Sequence, residues 1–573
     1  MVRMIPETPA RRPFSWRYAL LTVGAFSPAL LLLYLVAACG VNVPYWDEWD
    51  EFGCLLKFRD GALNVSDIFA QHNEHRIAVS RLFALLLCGQ ELNVKRLMFV
   101  SVLLALAAAV CLYVVARRTL NETPLRTLGL VFVANLLIFG PIQYDNWLTG
   151  GQLVLIAPAA CLCGCLALAA SRRSLLASTL LVCVLSTFAS FSILSGFSIW
   201  LIGAAALLHY RGAELREKVS LVVPWVLFFA LNIAGYGYHY SPGARGSSIS
   251  LALQHPVEFA KYFITFFGAP IGSGHDHRTY KVCMVVGALV LLITVFVYGY
   301  SFVRRRDRVF ARAIFPWLCL GAYSLLTGIA VCIGRTSYGD AGSMAAPRYT
   351  SFSVYLIVAL VFAVSVVLRD LSSRAALTPA WTIRISAALL TMLLMLHAAA
   401  SLAGIGSFQG LKRDRLFGKA ALLCIDSFEE PALATILFPN VSSLGEHARE
   451  FDRRGLLRPA LLKGGISVAK QSDDDGKDTG EFSVFTRGAD GRYSASGWSA
   501  KSDGAAVVFS VRAANGAAMP FGISELKADP SDAARARFER QFDAPLPPGS
   551  IIDAWLLEAE GGRVRKLHGE FTL

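Results

Sequence analysis

Long apolar runs recur from the N-terminus to about residue 404, with short polar loops between them. A helix needs roughly 20 residues to cross the ~30 Å hydrocarbon core of a bilayer. We predict eleven spans, of which the run at 196–209 is the shortest. They lie near 18–39, 97–116, 126–142, 152–170, 174–192, 196–209, 219–236, 281–303, 311–333, 350–368 and 383–404. The pattern therefore predicts an α-helical polytopic membrane protein.

Three further segments place apolar residues at helical spacing but are too short to span a bilayer. They cover Phe52 to Phe58, Ile77 to Cys88 and His255 to Phe267, and the last of them is rich in aromatic rings. Short helices of this kind lie along the membrane surface, with their apolar side at the headgroup boundary. We therefore predict that these segments form interfacial helices.

Beyond residue 404 the pattern changes. Residues 410–460 are amphipathic and helical, with a break at Pro439 and Asn440. From Glu481 onward, short runs alternate between apolar and polar positions, and glycines and prolines separate them, which is typical of a small β-sandwich. The predicted organisation is a membrane domain at 1–404, a helical connector at 405–468 and a β-sandwich-type domain at 469–573.

Composition supports the membrane assignment. Of 573 residues, 55% are hydrophobic and only 17% are charged, whereas soluble proteins are about 25% charged. The net charge of +13 does not call for a nucleic acid, because membrane proteins concentrate Lys and Arg in cytoplasmic loops. Basic loops alternate with others here, which predicts a cytoplasmic N-terminus and an extracytoplasmic C-terminal domain. The predicted outer loops are 40–96, 143–151, 237–280 and 334–349.

The N-terminus raises the question of processing. The first run ends at Cys39 in a Val-Ala-Ala-Cys sequence similar to a lipoprotein cleavage box, and Arg11-Arg12 is similar to a twin-arginine signal. Because many spans follow, we expect this run to be retained as a helix, with processing at Cys39 as the alternative. The twelve cysteines lie mostly inside apolar runs, so neither a disulfide framework nor a zinc site is expected among them.

The first outer loop opens with a dense group of carboxylates. Asp47, Glu48, Asp50 and Glu51 lie within five residues, beside the ring of Trp46. Carboxylates at a membrane surface are costly and tend to be functional. If the segment is helical, Asp47 shares a face with Asp50 and Glu51, whereas Glu48 points elsewhere. Such a group could bind Mg²⁺ or Mn²⁺ through oxygen ligands or supply a general base. The alternative is a solvated acidic patch.

The same loop contains the sequence His72-Asn73-Glu74-His75-Arg76. Two imidazoles, a carboxylate and a guanidinium could bind a metal or transfer a proton, and the His-x-x-His spacing fits one helical face. His72, Glu74 and His75 are therefore candidate metal ligands. No complete zinc signature is present, so the metal is left open, and ordinary surface polarity is the alternative.

Two other outer loops bring further candidates. Asp145, in the second loop, could join the first site or cap a helix. Arg335, Arg348 and Tyr349 lie in the last loop, where arginines oppose the positive-inside trend. Arg suits bidentate recognition of phosphate, so a lipid phosphate is the expected partner, with headgroup binding without catalysis as the alternative. Individually weaker candidates are Arg245, Lys261, His275, His277 and Arg278.

These features together resemble the C superfamily of glycosyltransferases, which are integral-membrane enzymes that use polyprenyl-phosphate sugars. The likeness covers the layout of residues 1–404 and not an extended sequence match. It implies that Asp47 is the catalytic carboxylate, with Glu48 as the adjacent acid. The histidine-rich segment departs from the superfamily and leaves the metal question open. The expected substrate-binding residues are Trp46, Asp50, Asp145, Arg76, Arg335, Arg348 and Tyr349.

The resemblance implies a multi-pass enzyme of a bacterial inner membrane. It would transfer a sugar from a polyprenyl-phosphate donor to an envelope glycan, lipid or protein, with inversion at the anomeric carbon. A transporter or flippase of lipid-linked glycans is the main alternative, but it would need polar or broken helices at the membrane midplane. A polymerase or ligase of surface polysaccharide would also use outer arginines, although it would not need the acidic cluster.

Overall fold

A computed structural model describes residues 16–573 with ten short gaps. The N-terminal Arg11-Arg12 pair lies outside the described residues, as do the weaker candidates Arg245, His275, His277 and Arg278. The residues that it does not describe within that range are 121, 172, 212–214, 242–248, 273–279, 336–340, 464, 467–479, 501–504 and 513–516.

Most of the described chain is helical, as the apolar runs predicted. The helices are α1 (Trp16–Ala25), α2 (Ser27–Cys39), α3 (Glu48–Glu51), α4 (Gly53–Arg59), α5 (Val65–Ile68), α6 (Ala78–Cys88), α7 (Val94–Thr119), α8 (Pro124–Ile138), α9 (Tyr144–Trp147), α10 (Leu153–Ala169), α11 (Leu175–Ser190), α12 (Ser198–Arg211), α13 (Leu215–Gly237), α14 (Ile249–Gln254), α15 (Pro256–Gly272), α16 (Tyr280–Val303), α17 (Arg308–Arg335), α18 (Pro347–Ser373), α19 (Pro379–Leu423), α20 (Leu433–Ile436) and α21 (Val441–Arg453).

Several of these helices can cross a bilayer. Within the described residues, six are long and apolar enough, counting α8 and α9 as one, and the bent pair α1 and α2 makes a seventh. The other four predicted spans, near 152–170, 174–192, 196–209 and 219–236, coincide with shorter apolar helical segments. The prediction of an α-helical polytopic membrane protein is confirmed, while seven of its eleven predicted spans reach full length.

The first predicted span is bent and not straight. Helices α1 and α2 meet at 47°, with Phe26 between them. Pro28 has no amide N–H, so it cannot donate the hydrogen bond that would continue α1 into α2. This missing donor explains why one apolar run forms two helices.

The chain divides into two compact units. The first contains residues 1–35, 102–143 and 155–404. The second contains residues 36–101, which include the predicted first outer loop, residues 144–154, which include most of the predicted second outer loop, and everything from residue 405 onward. The acidic cluster, the histidine-rich segment and the β-strands therefore belong to the same unit.

In the first unit, α15 and α16 cross at very close range. A Cβ atom added at Gly268 would lie 1.8 Å from the carbonyl oxygen of Cys283, and one at Gly287 would lie 1.9 Å from that of Ile264. Only glycine permits this approach.

Of the aromatic residues of α15, Tyr262, Phe266 and Phe267 are buried, whereas Phe259 and Phe263 are half-buried. A helix covers most of the predicted segment His255 to Phe267. Its C-terminal half packs against α16, while its first residues are exposed, and its interfacial position stays a prediction.

The second unit contains a small hairpin and a larger sheet. The larger sheet has the strand order β6-β5-β9-β10-β3-β4-β8-β7, antiparallel except where β10 meets β3. The Ser524 hydroxyl donates to the Glu539 carbonyl across 3.4 Å, which brings β6 beside β8 and folds the sheet around a core that includes Phe482, Phe509 and Phe538. This confirms a sandwich-type C-terminal domain. The strands are β1 (Gln71–His72), β2 (His75–Arg76), β3 (Gly480–Arg487), β4 (Tyr493–Ala500), β5 (Ala505–Arg512), β6 (Ala518–Glu525), β7 (Lys527–Ala528), β8 (Arg535–Phe542), β9 (Ile551–Glu558) and β10 (Val564–Thr572).

The sheet is tied to the rest of the second unit by ion pairs. The carboxylate of Glu560 accepts from the Lys419 ammonium at 3.2 Å and from the amide of Asn42 at 3.2 Å. On another strand, the Arg540 guanidinium donates to both oxygens of Glu430, at 3.0 and 3.1 Å. The β-domain is therefore packed onto the connector and the first outer loop.

Candidate active site

The acidic cluster forms a short helix that sorts its four carboxylates into two pairs. Helix α3 covers Glu48–Glu51 and follows Asp47 directly. Residues three apart share a helical face. The side chains of Asp47 and Asp50 are 70% and 53% exposed, whereas Glu48 and Glu51 are 2% and 7% exposed. One pair faces solvent and the other faces the protein interior.

Glu48 is fully engaged by the backbone. Its Oε1 atom accepts from the amide of Gly151 at 2.7 Å, and its Oε2 atom accepts from the amide of Tyr45 at 2.8 Å. The carboxylate therefore joins the first outer loop to the second. The catalytic role of Glu48 beside Asp47 stays a prediction. Its burial and its two backbone partners favour a structural role, and successive residues on a helix point about 100° apart.

The Gly150-Gly151 pair permits this junction. A Cβ atom at Gly151 would lie 2.5 Å from Oε2 of Glu51, and one at Gly150 would lie 3.2 Å from Oε1 of Glu48. Contacts below 3 Å require the surroundings to move. Two glycines in succession therefore let the second outer loop approach the buried carboxylates.

A buried arginine from the last long helix supports the same junction. Arg415, on α19, is 1% exposed. Its guanidinium donates to the carbonyl of Leu148 and to the hydroxyl of Thr149, the latter at 2.8 Å, and lies 4.4 Å from the ring centre of Tyr45. Its charge interacts with Glu48 and with the half-buried Asp145. The interaction of Asp145 with Arg415 favours the first of its two predicted roles, which is to join the acidic site, and Arg415 is a residue that the sequence did not reveal.

Each exposed carboxylate has an imidazole beside it. The Nε2 atom of His72 lies 3.7 Å from Oδ2 of Asp47, and the Nε2 atom of His447 lies 3.5 Å from Oδ1 of Asp50. The Asp47 carboxylate raises the pKa of His72. The open side of α3 therefore presents two carboxylate–imidazole pairs.

The histidine-rich segment is a β-hairpin and not a helix. His72 and His75 are opposite each other on β1 and β2, and Asn73, in the turn, has a φ of +50°, a conformation that asparagine tolerates well. Among the described residues, no group of three or more His, Cys, Asp or Glu side chains is placed to hold a metal ion. The hairpin brings His72 to Asp47, while His72, Glu74 and His75 do not converge. The expectation of Mg²⁺ or Mn²⁺ stays a prediction.

Two arginines fix the turn that precedes this hairpin. Arg76 is buried and donates to the carbonyl of Phe69. Arg81 is buried as well and donates to the carbonyls of Ile68, at 3.1 Å, and of Ala70. Because Arg76 faces the backbone, its placement favours a role in positioning the hairpin over the direct substrate contact that was predicted.

Trp46 has a strained backbone at the edge of the exposed carboxylates. Its φ is +49°, which is rare for a bulky residue and often marks a functional position. Its amide donates to the carbonyl of Leu437 at 2.7 Å, and the residue is 40% exposed. An aromatic ring held in this way could stack against a sugar ring.

The predicted phosphate-binding residues lie in the first unit. Arg335 ends α17 and Arg348 opens α18. Their guanidinium carbons lie 6.0 and 5.4 Å from the ring centre of the buried Tyr349. Tyr349 therefore packs beneath the two cations, which the structure brings together, and the exposed side chain of Arg348 can reach an anion.

The raised pKa of Glu48 should make the free energy of unfolding of the protein depend on pH. Burial raises its pKa from 4.5 to about 7, so between these values the folded state binds a proton that the unfolded state lacks. This contribution to stability is present below pH 4.5 and is lost as the pH rises through 7. We expect the stability of the wild type relative to Glu48→Gln to fall by up to about 3 kcal/mol across that range. Unfolding of the two solubilised proteins between pH 4 and 8 measures the difference, and two parallel curves would contradict it.

Comparisons with known proteins add little to this geometry. No protein-family model matches the chain, and no curated protein matches its sequence. Among solved structures, the crystal structure of ArnT from Cupriavidus metallidurans in the apo state is similar, with 14% identity and a TM-score of 0.26 over 63% of this chain and 81% of that chain. A similarity at this level supports no conclusion about the site, so the function has to be argued from the site itself.

Proposed function

We propose that the protein transfers a sugar from a polyprenyl-phosphate donor to an envelope glycan, lipid or protein at the extracytoplasmic face of the bacterial inner membrane. The observation that supports this most is the exposed Asp47 carboxylate, with the His72 imidazole 3.7 Å away. Both lie on segments that buried contacts hold in place. A carboxylate that is exposed yet firmly positioned suits general-base catalysis.

The proposed reaction is a single displacement. A hydroxyl oxygen of the acceptor bonds to the anomeric carbon, and the bond from that carbon to the phosphate oxygen breaks, leaving its electron pair on the lipid phosphate. Asp47 takes the proton of the hydroxyl, and His72 holds the carboxylate in position. A backside attack of this kind inverts the anomeric centre.

We assign the remaining roles by chemistry. Trp46 would stack against a sugar ring, and Asp50 would accept a hydrogen bond from a sugar hydroxyl. For Arg335 and Arg348, in the first unit, the predicted role of binding a lipid phosphate is kept as a proposal from their chemistry. Glu48 and Arg415 would carry no chemistry and would hold the acidic helix against the second outer loop.

Mass spectrometry of envelope glycans and lipid extracts tests the proposal in three strains. One lacks the gene, one carries it intact, and one carries Asp47→Ala at matched expression. We expect the deletion and Asp47→Ala strains to lose the same sugar and to accumulate its polyprenyl-phosphate donor. Full restoration of the glycan by Asp47→Ala would favour transport or scaffolding, and an unchanged glycan in the deletion strain would refute the proposal.

A further inference from the structure

The connector predicted at 405–468 forms one wall of the acidic site. The ring of Phe451, on α21, packs edge-on against Trp49, with 6.0 Å between the ring centres. At the end of the same helix, Arg454 donates to both oxygens of Asp60, at 2.9 and 2.6 Å. Helix α21 is therefore fastened to both α3 and α4, and a side chain on its facing surface has a defined position.

His447 is that side chain. Its Nε2 atom lies 3.5 Å from Oδ1 of Asp50, and its ring meets the ring of Phe438 edge-on at 5.9 Å. Its Nδ1 atom is buried and has no hydrogen-bond partner among the described residues. Packing thus fixes the imidazole, whose polar edge is directed at the Asp50 carboxylate.

Asp50 itself remains open on its other side. Its side chain is 53% exposed, and it lies three residues from Asp47, on the same helical face. A carboxylate held at one oxygen by an imidazole can accept a hydrogen bond from a ligand at the other oxygen. Asp50 can therefore bind a ligand beside Asp47, to which the proposed function gives the proton transfer.

We propose that His447 is a positioning residue of the active site, which holds the Asp50 carboxylate so that it binds a hydroxyl group of the acceptor. This inference rests on the proposed function and deepens it. It gives the C-terminal connector a direct part in the site, and it identifies a hydroxyl-rich acceptor as the ligand of Asp50.

Acceptor kinetics with the full-length protein test this role. The acceptor is the envelope glycan extract of the deletion strain, which lacks the transferred sugar, and the donor is the polyprenyl-phosphate lipid that this strain accumulates. We expect His447→Ala to raise the half-saturating amount of extract about tenfold, the order expected for one lost contact to a charged group. The turnover number should change by less than about threefold, because the base is untouched.

Two variants separate positioning from a merely structural role. His447→Gln keeps an N–H donor and should restore half-saturation to within about threefold of wild type. Asp50→Asn should reproduce the effect of His447→Ala, and the double variant should be no worse than either single one, because the two residues act as a unit. Glu446→Ala, an exposed neighbour on the same helix, is the matched control.

A failure of the inference about His447 can be distinguished from a failure of the proposed function. Unchanged half-saturation in His447→Ala, or multiplying effects of the two single variants, would overturn the inference and leave the proposed function intact. If the wild type shows no transfer, the proposed function fails. The melting temperature with and without the extract then decides the inference, because a shift in the wild type that His447→Ala lacks would support it. Equal shifts in both proteins, or none in either, would overturn it.

Discussion

Asp47→Asn is expected to lower the turnover number of sugar transfer by about 10²- to 10⁴-fold, the usual contribution of a general base. An amide has nearly the shape of a carboxylate but cannot accept the proton of the acceptor. The side chain is 70% exposed, so its loss should leave stability within about 0.5 kcal/mol of wild type. Half-saturation by the acceptor should change little, because Asp50 and His447 are unaltered.

The measurement is the initial rate at saturating acceptor, with a melting curve for each protein to show that it is folded. Asp543→Asn, at an exposed position in the β-domain, controls for the loss of one negative charge and should have the wild-type rate. A folded Asp47→Asn protein that transfers sugar within about threefold of wild type would remove Asp47 as the base, since no base contribution of the expected size would then remain.

The membrane fold was largely predictable because its signal is local. Apolar composition and run length are properties of consecutive residues, and a helix satisfies its own backbone hydrogen bonds within lipid. What composition could not show is where a helix packs. The segment at His255 to Phe267 has the aromatic pattern of an interfacial helix, and only the structure shows that Gly268 and Gly287 bring its C-terminal end against α16, where Phe266 and Phe267 are buried.

The directions of the side chains in the acidic cluster were also partly predictable from the sequence. Helical spacing correctly separated Asp47 from Glu48, because the angle between neighbouring residues is fixed by the helix, but it wrongly grouped Glu51 with Asp47, since Glu51 is buried beside Glu48. It could not say which pair faces inward. That choice depends on the amide of Gly151, more than a hundred residues away along the chain, and on the buried Arg415. Neither partner can be predicted from the sequence near Glu48.

The positions of the histidine side chains were also only partly predictable from the sequence. The spacing of His72 and His75 suited a helix, but Asn73 takes up a left-handed conformation and turns the segment into a hairpin. An asparagine between polar residues is a known turn signal, so this error was avoidable. The pairing of His447 with Asp50 was not predictable, because the two residues come from distant parts of the chain and meet only through the packing of α21 on α3.

Gly151→Ala, at the contact between the loops that carry Glu48 and Gly151, is expected to lower the stability of the protein. Gly151→Ala would place a Cβ atom 2.5 Å from Oε2 of Glu51 and 3.4 Å from Cγ of Glu48. Either the end of the Glu51 side chain or the loop would have to move, and the Glu51 carboxylate is buried. A retreat of the loop would also weaken the 2.7 Å bond from the Gly151 amide to Glu48. Overpacking of this kind costs about 1–3 kcal/mol, and we expect a loss in that range.

Thermal unfolding of the solubilised protein measures this loss, and Gly53→Ala is the matched control. A Cβ atom at Gly53, at the start of α4 in the same unit, meets nothing within 4 Å, and alanine favours a helix over glycine by up to about 1 kcal/mol. Glu51→Asp shortens the obstructing side chain, so the double variant Gly151→Ala with Glu51→Asp should be more stable than Gly151→Ala alone. If Gly151→Ala unfolds at the same temperature as Gly53→Ala, then Glu48 does not join the two loops through a close contact, and the position of Asp47 must be set by other residues.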